Sequence, residues 1–100
     1  MDAVNADGPG YVYGITHPEH PGYIKIGKTR NVRRRLGQYQ TADPFRRYKL
    51  EFSIFSNSYH AAELRAHALL RGFRHQNTEW FQVSPDDAFN MLMKLKEPKL

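Results

Sequence analysis

The chain has 100 residues, 40 % hydrophobic and 25 % charged, with no cysteine and a formal net charge of +5. That length supports one small hydrophobic core and, at most, a shallow cleft, and the missing thiols exclude a disulfide partner, a thiolate metal site and a cysteine nucleophile. No apolar run approaches the ~20 residues of a membrane span, and the N-terminus lacks the basic-then-apolar pattern of a signal peptide; the expectation is a soluble intracellular protein, in the cytoplasm or with the nucleoid or nucleus, and no membrane partner.

Residues 1–9 read as a flexible arm before a single domain over residues 10–96, and Glu97–Leu100 as a frayed tail. Tyr11–Thr16 and Tyr23–Gly27 are aromatic and β-branched runs separated by His17–Gly22, whose two prolines and glycine mark a loop. The pattern predicts a β-hairpin. Pairing about residue 19 sets Tyr13 opposite Lys25, puts Val12, Ile24 and Ile26 on a buried face, and gathers Tyr11, Tyr13, Tyr23 and Lys25 on the other. His17, Glu19 and His20 lack the spacing of a metal site and read as loop residues.

Asn31 can cap a helix running to about Gln40, with Val32, Leu36 and Tyr39 as its buried stripe. Of the consecutive arginines Arg33, Arg34 and Arg35, only Arg35 borders that stripe. Thr41–Phe45 breaks the helix, and Tyr48–Ser56 alternates as a third strand with Leu50, Phe52 and Ile54 on one face. A second helix is expected from Ser58 to about Leu70, with Ala62, Ala66, Leu69 and Phe73 inward and Glu63 and His67 at the rim. Trp80, Phe81 and Val83 suggest a short extended segment closing the core. Ser84-Pro85-Asp86-Asp87 caps a last helix through Ala88, Phe89, Leu92 and Leu95. The fold class is α+β, a small, mostly antiparallel three-stranded sheet flanked by helices in the order β-β-α-β-α-(β)-α.

Charge is concentrated in one block. Residues 24–49 carry nine Lys or Arg side chains against Asp43 alone, which is +8, whereas residues 1–22 carry Asp2, Asp7 and Glu19 with no base, which is −3. A positive block of this density fits a nucleic acid, DNA first and RNA second, with Lys28, Arg30, Arg33, Arg34, Arg46 and Arg47 as the binding candidates. The ordinary reading of such a run is a solvated helix face.

Tyr11-Val12-Tyr13, eleven residues, Lys25-Ile26-Gly27, an arginine eight residues past that glycine and a glutamate on a later helix resemble the GIY-YIG nuclease superfamily. The ending Glu79-Trp80-Phe81 is similar to its short phage, viral and bacterial branch. The resemblance implies that Tyr13 orients or deprotonates the attacking water, that Arg35 binds the scissile phosphate and that Glu63 holds a divalent metal, Mg2+ or Mn2+. Lys25 stands where the superfamily usually has a second tyrosine. A lysine there could bind phosphate or, opposite Tyr13, favour the phenolate through its ammonium, so it joins the catalytic candidates. Tyr11, His67 and Asn77 are further candidates.

Chemically the set is sufficient. Phosphodiester hydrolysis builds charge on non-bridging oxygens, which a planar, permanently protonated guanidinium and a cation can stabilise, and Mg2+ often takes only one or two carboxylates. Structural readings stand beside these: Tyr13 as an ordinary strand aromatic, Lys25 as a solvated charge, Arg35 snorkelling along the core edge, Glu63 paired with Arg65 or Arg71, and His67 hydrogen-bonded at a rim. Three functions remain open: a metal-dependent endonuclease, a nucleic-acid-binding module without cleavage, and a protein-interaction domain.

Overall fold

A computed structural model describes residues 7–94. It contains strands β1 (Gly10–Thr16) and β2 (Ile24–Thr29), helix α1 (Val32–Ala42), strand β3 (Lys49–Ser56), helix α2 (Tyr59–Leu69), a 3₁₀ turn (Arg71–Phe73), strand β4 (Trp80–Phe81) and helix α3 (Pro85–Met93). The fold is α+β, as the alternation of patterns requires. The sheet has four strands rather than three, in the order β3-β1-β2-β4, because Trp80 and Phe81 pair antiparallel with Lys25 and Ile24.

The β1–β2 hairpin folds about residue 20, not 19, which sets Tyr13 opposite Gly27 and Ile15 opposite Lys25. The expected Tyr13–Lys25 pairing is therefore wrong by two residues. An even slip preserves faces. Val12, Ile24 and Ile26 accordingly share a core with Ile54, Ala62, Ala66, Leu70, Phe81, Ala88 and Leu92 under α2 and α3. Each fully buried Ile, Leu or Phe there contributes roughly 1.5–3 kcal/mol.

The opposite face is also covered. Tyr13, Ile15 and Leu50 meet Val32, Arg35, Leu36 and Tyr39 of α1. Leu50 was expected beside Phe52 and Ile54; a bulge interrupts the β1–β3 register between Gly14 and Ile15, leaving Glu51 as the extra residue and turning Leu50 to the α1 side. Asn31 caps α1 by accepting from the Arg34 N–H at 2.9 Å, and Ser84 caps α3 by accepting from Asp87 at 3.1 Å with Pro85 in the first turn.

On α2 the inward stripe is Ala62, Ala66 and Leu70, whereas Leu69 and Phe73 are 41 % and 42 % exposed. The helix ends at Leu69 and tightens into the 3₁₀ turn, which swings Phe73 outward. The α3 expectations divide: Ala88 and Leu92 are buried, Phe89 is partly exposed, and Leu95 lies outside the described residues, as do positions 1–6 of the arm and the Glu97–Leu100 tail. Asp7 accepts from the backbone N–H groups of His60 and Ala61 and the Gly8 carbonyl accepts from Tyr59, so these residues cap the start of α2, where Ser58 makes no side-chain cap.

A buried polar clamp joins the hairpin loop to the α1–β3 connection. The His17 Nδ1 accepts from the Glu19 N–H, so its Nε2 carries the proton and donates to Asp43 at 2.7 Å. Asp43 also accepts from the Phe45 and Arg47 backbone N–H groups and from the Arg47 guanidinium, which reaches on to Glu19. Burial works against this carboxylate's charge, but those donors outweigh it and hold it well below the usual carboxylate range. His17 and Glu19 are thus structural, in line with their reading as loop residues.

Candidate active site

Two consecutive residues of β2, Ile26 and Gly27, organise the site. The Tyr13 ring crosses Gly27 so closely that a Cβ there would lie 2.5 Å from the phenol oxygen and 2.6 Å from its ring carbon. Only glycine leaves that room. Tyr13 is 2 % exposed, and its hydroxyl shares a 2.9 Å hydrogen bond with that of Tyr39, one turn beyond Arg35 on α1. Burial and the Tyr13 hydrogen bond push the Tyr39 phenol well above the ordinary tyrosine range, against the opposing pull of Arg35. Burial disfavours the charged Arg35 as well, but its contacts with Tyr13 and Tyr39 outweigh that and hold the guanidinium protonated.

The second group sits on the edge of β2 just before the start of β4. Ile26 donates its N–H to the Glu79 carbonyl at 3.0 Å and accepts from the His67 ring at 2.9 Å. A carbonyl can only accept, so the His67 Nε2 bears the proton. The alanine stripe of α2 allows close approach to the sheet and draws Glu63 in to 7 % exposure. Donor atoms of Glu63, His67 and Glu79 all lie within 4.8 Å of one another. Lys28 binds Glu63 at 2.8 Å and Lys25 binds Glu79 at 3.5 Å. The Glu63 hydrogen bond raises the Lys28 ammonium above the ordinary lysine range despite partial desolvation.

Two carboxylates at this separation suit an oxygen-seeking divalent ion that keeps several waters. With Nε2 committed to Ile26, His67 serves most simply by fixing the Glu63 flank, its ring 3.9 Å from that carboxylate. The two ammonium groups balance the charge of the two glutamates.

Among the residues singled out from sequence, Tyr13 and Arg35 come together, and Glu63 and His67 come together. Lys25 is apart from Tyr13: its ammonium lies against Glu79 and 5.9 Å from the Trp80 ring centre, so the proposed tuning of the phenol by Lys25 has no structural basis. Glu63 pairs with Lys28 rather than Arg65 or Arg71. Tyr11 packs edge-on against Phe55 at 5.6 Å, and Asn77 lies exposed in the turn before Glu79. Of the basic candidates, Arg33, Arg34 and Arg46 are exposed, Arg30 is exposed and bonded to Tyr59, and Lys28 and Arg47 are held in internal ion pairs.

Tyr39 and Glu79 were not assigned site roles from sequence. Tyr39 served only as a core-stripe residue, and Glu79 appeared only inside the Glu-Trp-Phe ending. The signal for Tyr39 was its i+4 spacing from Arg35. A sequence model of the T5orf172 domain matches residues 10–96. No curated protein and no solved structure gives a significant match to the chain.

Proposed function

Because the chain belongs to the T5orf172 domain family, a phage-associated domain in the neighbourhood of the GIY-YIG and HNH-like endonucleases, we propose that it is an endonuclease of the GIY-YIG type that hydrolyses nucleic-acid phosphodiester bonds, DNA first, with one Mg2+ or Mn2+. The observation that carries this reading is the placement of a phenol pair with a guanidinium and of a two-carboxylate cluster against adjacent residues of one strand.

In this reading Arg35 binds the scissile phosphate through its planar donor fork and stabilises the charge that develops on it. Tyr13, fixed by Gly27 and Tyr39, orients the water; the Tyr39 phenol keeps its proton and holds Tyr13 in place. Glu63 and Glu79 would hold the divalent ion, which supplies Lewis-acid stabilisation of phosphate charge. Exposed Arg33, Arg34 and Arg46 would meet flanking phosphates.

A nucleic-acid-binding module without cleavage is the second reading, favoured by the Lys28 ammonium already seated on Glu63. Nicking of supercoiled plasmid by chelator-treated protein decides between them, with and without added Mg2+. Wild type should nick only with the ion, and Glu63→Gln and Arg35→Ala should each lose on the order of 10²-fold or more. Equal nicking by wild type and Glu63→Gln, or binding with no product under any divalent ion, would end the hydrolytic reading.

A further inference from the structure

Phe81 is fully buried, but its neighbour Trp80 is half-buried and faces the other way, so Trp80 does not close the core as its sequence context suggested. It lines a cleft of about 480 Å³ with Glu19, His20, Pro21, Tyr23 and His75. The rings come from the hairpin loop, the residue before β2, and the segment leading into β4. His20 meets Trp80 edge-on at 5.0 Å, and Tyr23 meets His75 at 5.7 Å. Four rings at one concavity give flat apolar surface with polar edges, which a fold needing only solubility has no use for.

At the rim, charges of both signs are paired with one another. Glu19 is bound by Arg47 and Glu79 by Lys25, so neither carboxylate stands as an uncompensated repulsive charge. Lys25, against Trp80, links the cleft to the Glu63–Glu79 cluster. On the other flank an adjoining concavity shares His20, Pro21 and Tyr23 and adds Arg47 and Lys49. Cations therefore stand on both sides of an aromatic floor, each shared with a carboxylate: Lys25 with Glu79, Arg47 with Glu19 and Asp43, and the exposed Lys49 with Glu51 at 3.9 Å.

We propose that this cleft holds an unstacked nucleobase of a single-stranded or branched nucleic acid, flanked by phosphates at Lys25 and at Arg47 and Lys49; the proposal rests on the nuclease reading and names its substrate class. A cleft of this size falls in the ~300–1,000 Å³ range of ligand sites. Aromatic side chains bind single strands by stacking on bases, at about 1–3 kcal/mol per base, whereas a base within a duplex has both faces covered.

Trp80 is the chain's single tryptophan, so its fluorescence reads the cleft directly. The full chain is titrated in chelator, where no cleavage occurs, with an eight-nucleotide single-stranded DNA, a blunt duplex of the same sequence, and a mononucleotide. The single strand should quench Trp80, and the Tyr23→Ala/His75→Ala double variant, with its fold checked by circular dichroism, should bind it about tenfold or more weakly. The duplex should bind without quenching and with affinity unchanged by the double variant. Equal quenching by single strand and duplex, quenching by neither, equal quenching by the mononucleotide, or unaltered single-strand affinity in the double variant would each overturn the proposal. Plasmid nicking without strand-selective quenching removes the cleft and keeps the hydrolysis; strand-selective quenching without nicking does the reverse.

Discussion

Replacing Gly27 with alanine probes the geometry most directly. The backbone there has no positive φ, so alanine would ordinarily stabilise by about 0.4–1 kcal/mol by restricting the unfolded chain. The added Cβ, however, meets the Tyr13 phenol oxygen at 2.5 Å, and ordinary contact begins at 3.4 Å, so the ring must shift by about 0.9 Å. The ring has little freedom to do so, being 2 % exposed and tied to Tyr39. Overpacking of this kind costs about 1–3 kcal/mol and a strained or lost hydrogen bond about 1 more, so destabilisation wins by about 1–3 kcal/mol. At this chain length the melting temperature should fall by about 4–24 °C. A displacement near 1 Å should also lower cleavage on the order of 10²-fold. Gly37→Ala is the matched control, because an added Cβ there meets nothing within 4 Å and a helical Gly→Ala gains up to about 1 kcal/mol. Thermal denaturation and plasmid nicking of both variants make the measurement. Unchanged stability and activity in Gly27→Ala would refute the claim that Gly27 fixes Tyr13.

If Glu63 and Glu79 hold a divalent ion, Mn2+ at a hundredfold excess over its dissociation constant should stabilise wild type by about 2.7 kcal/mol, and Glu63→Gln or Glu79→Gln should abolish the shift in a melting assay. Asp43, whose carboxylate sits below its ordinary range, contributes stability present above its unfolded pKa of about 4 and lost as pH falls toward the folded value; melting between pH 2 and 6 should show that slope, and Asp43→Asn should flatten it. The raised Tyr39 phenol works in the opposite sense, its stabilisation intact below pH of about 10 and lost above, so Tyr39→Phe should reduce the alkaline fall in melting temperature. Removing exposed Arg33 and Arg34 together should lessen the dependence of log affinity for DNA on log salt by about 1.8, as two lost phosphate contacts require; an unaltered slope would place DNA elsewhere.

Local rules read the helix starts well. Asn31 and the Ser84-Pro85 pair mark true starts because capping depends on a few adjacent residues, and the stripe on α1 correctly separated Arg35 from exposed Arg33 and Arg34. Val12, Ile24 and Ile26 found their common face despite the hairpin offset. Leu50 could not be read, since one extra residue in a bulge reverses every expectation on its far side. Lys25 followed from an assumed register that the loop centre contradicts. Tyr39 looked like packing because its ring is packing; its hydroxyl becomes informative only when Tyr13 lies 2.9 Å away. Glu79 is remote from Glu63 along the chain and joins it only through the pairing of β4 with β2.

The family match begins at Gly10, yet just upstream the Asp7 carboxylate and the Gly8 carbonyl accept from the N–H groups of the first turn of α2. A protein trimmed to the matched boundary would leave the N–H groups of Tyr59, His60 and Ala61 to solvent. The fraying would begin a single helical turn ahead of Glu63, so cutting the polypeptide at an apparently safe border should loosen that carboxylate and its ion pair with Lys28 before it disturbs the sheet.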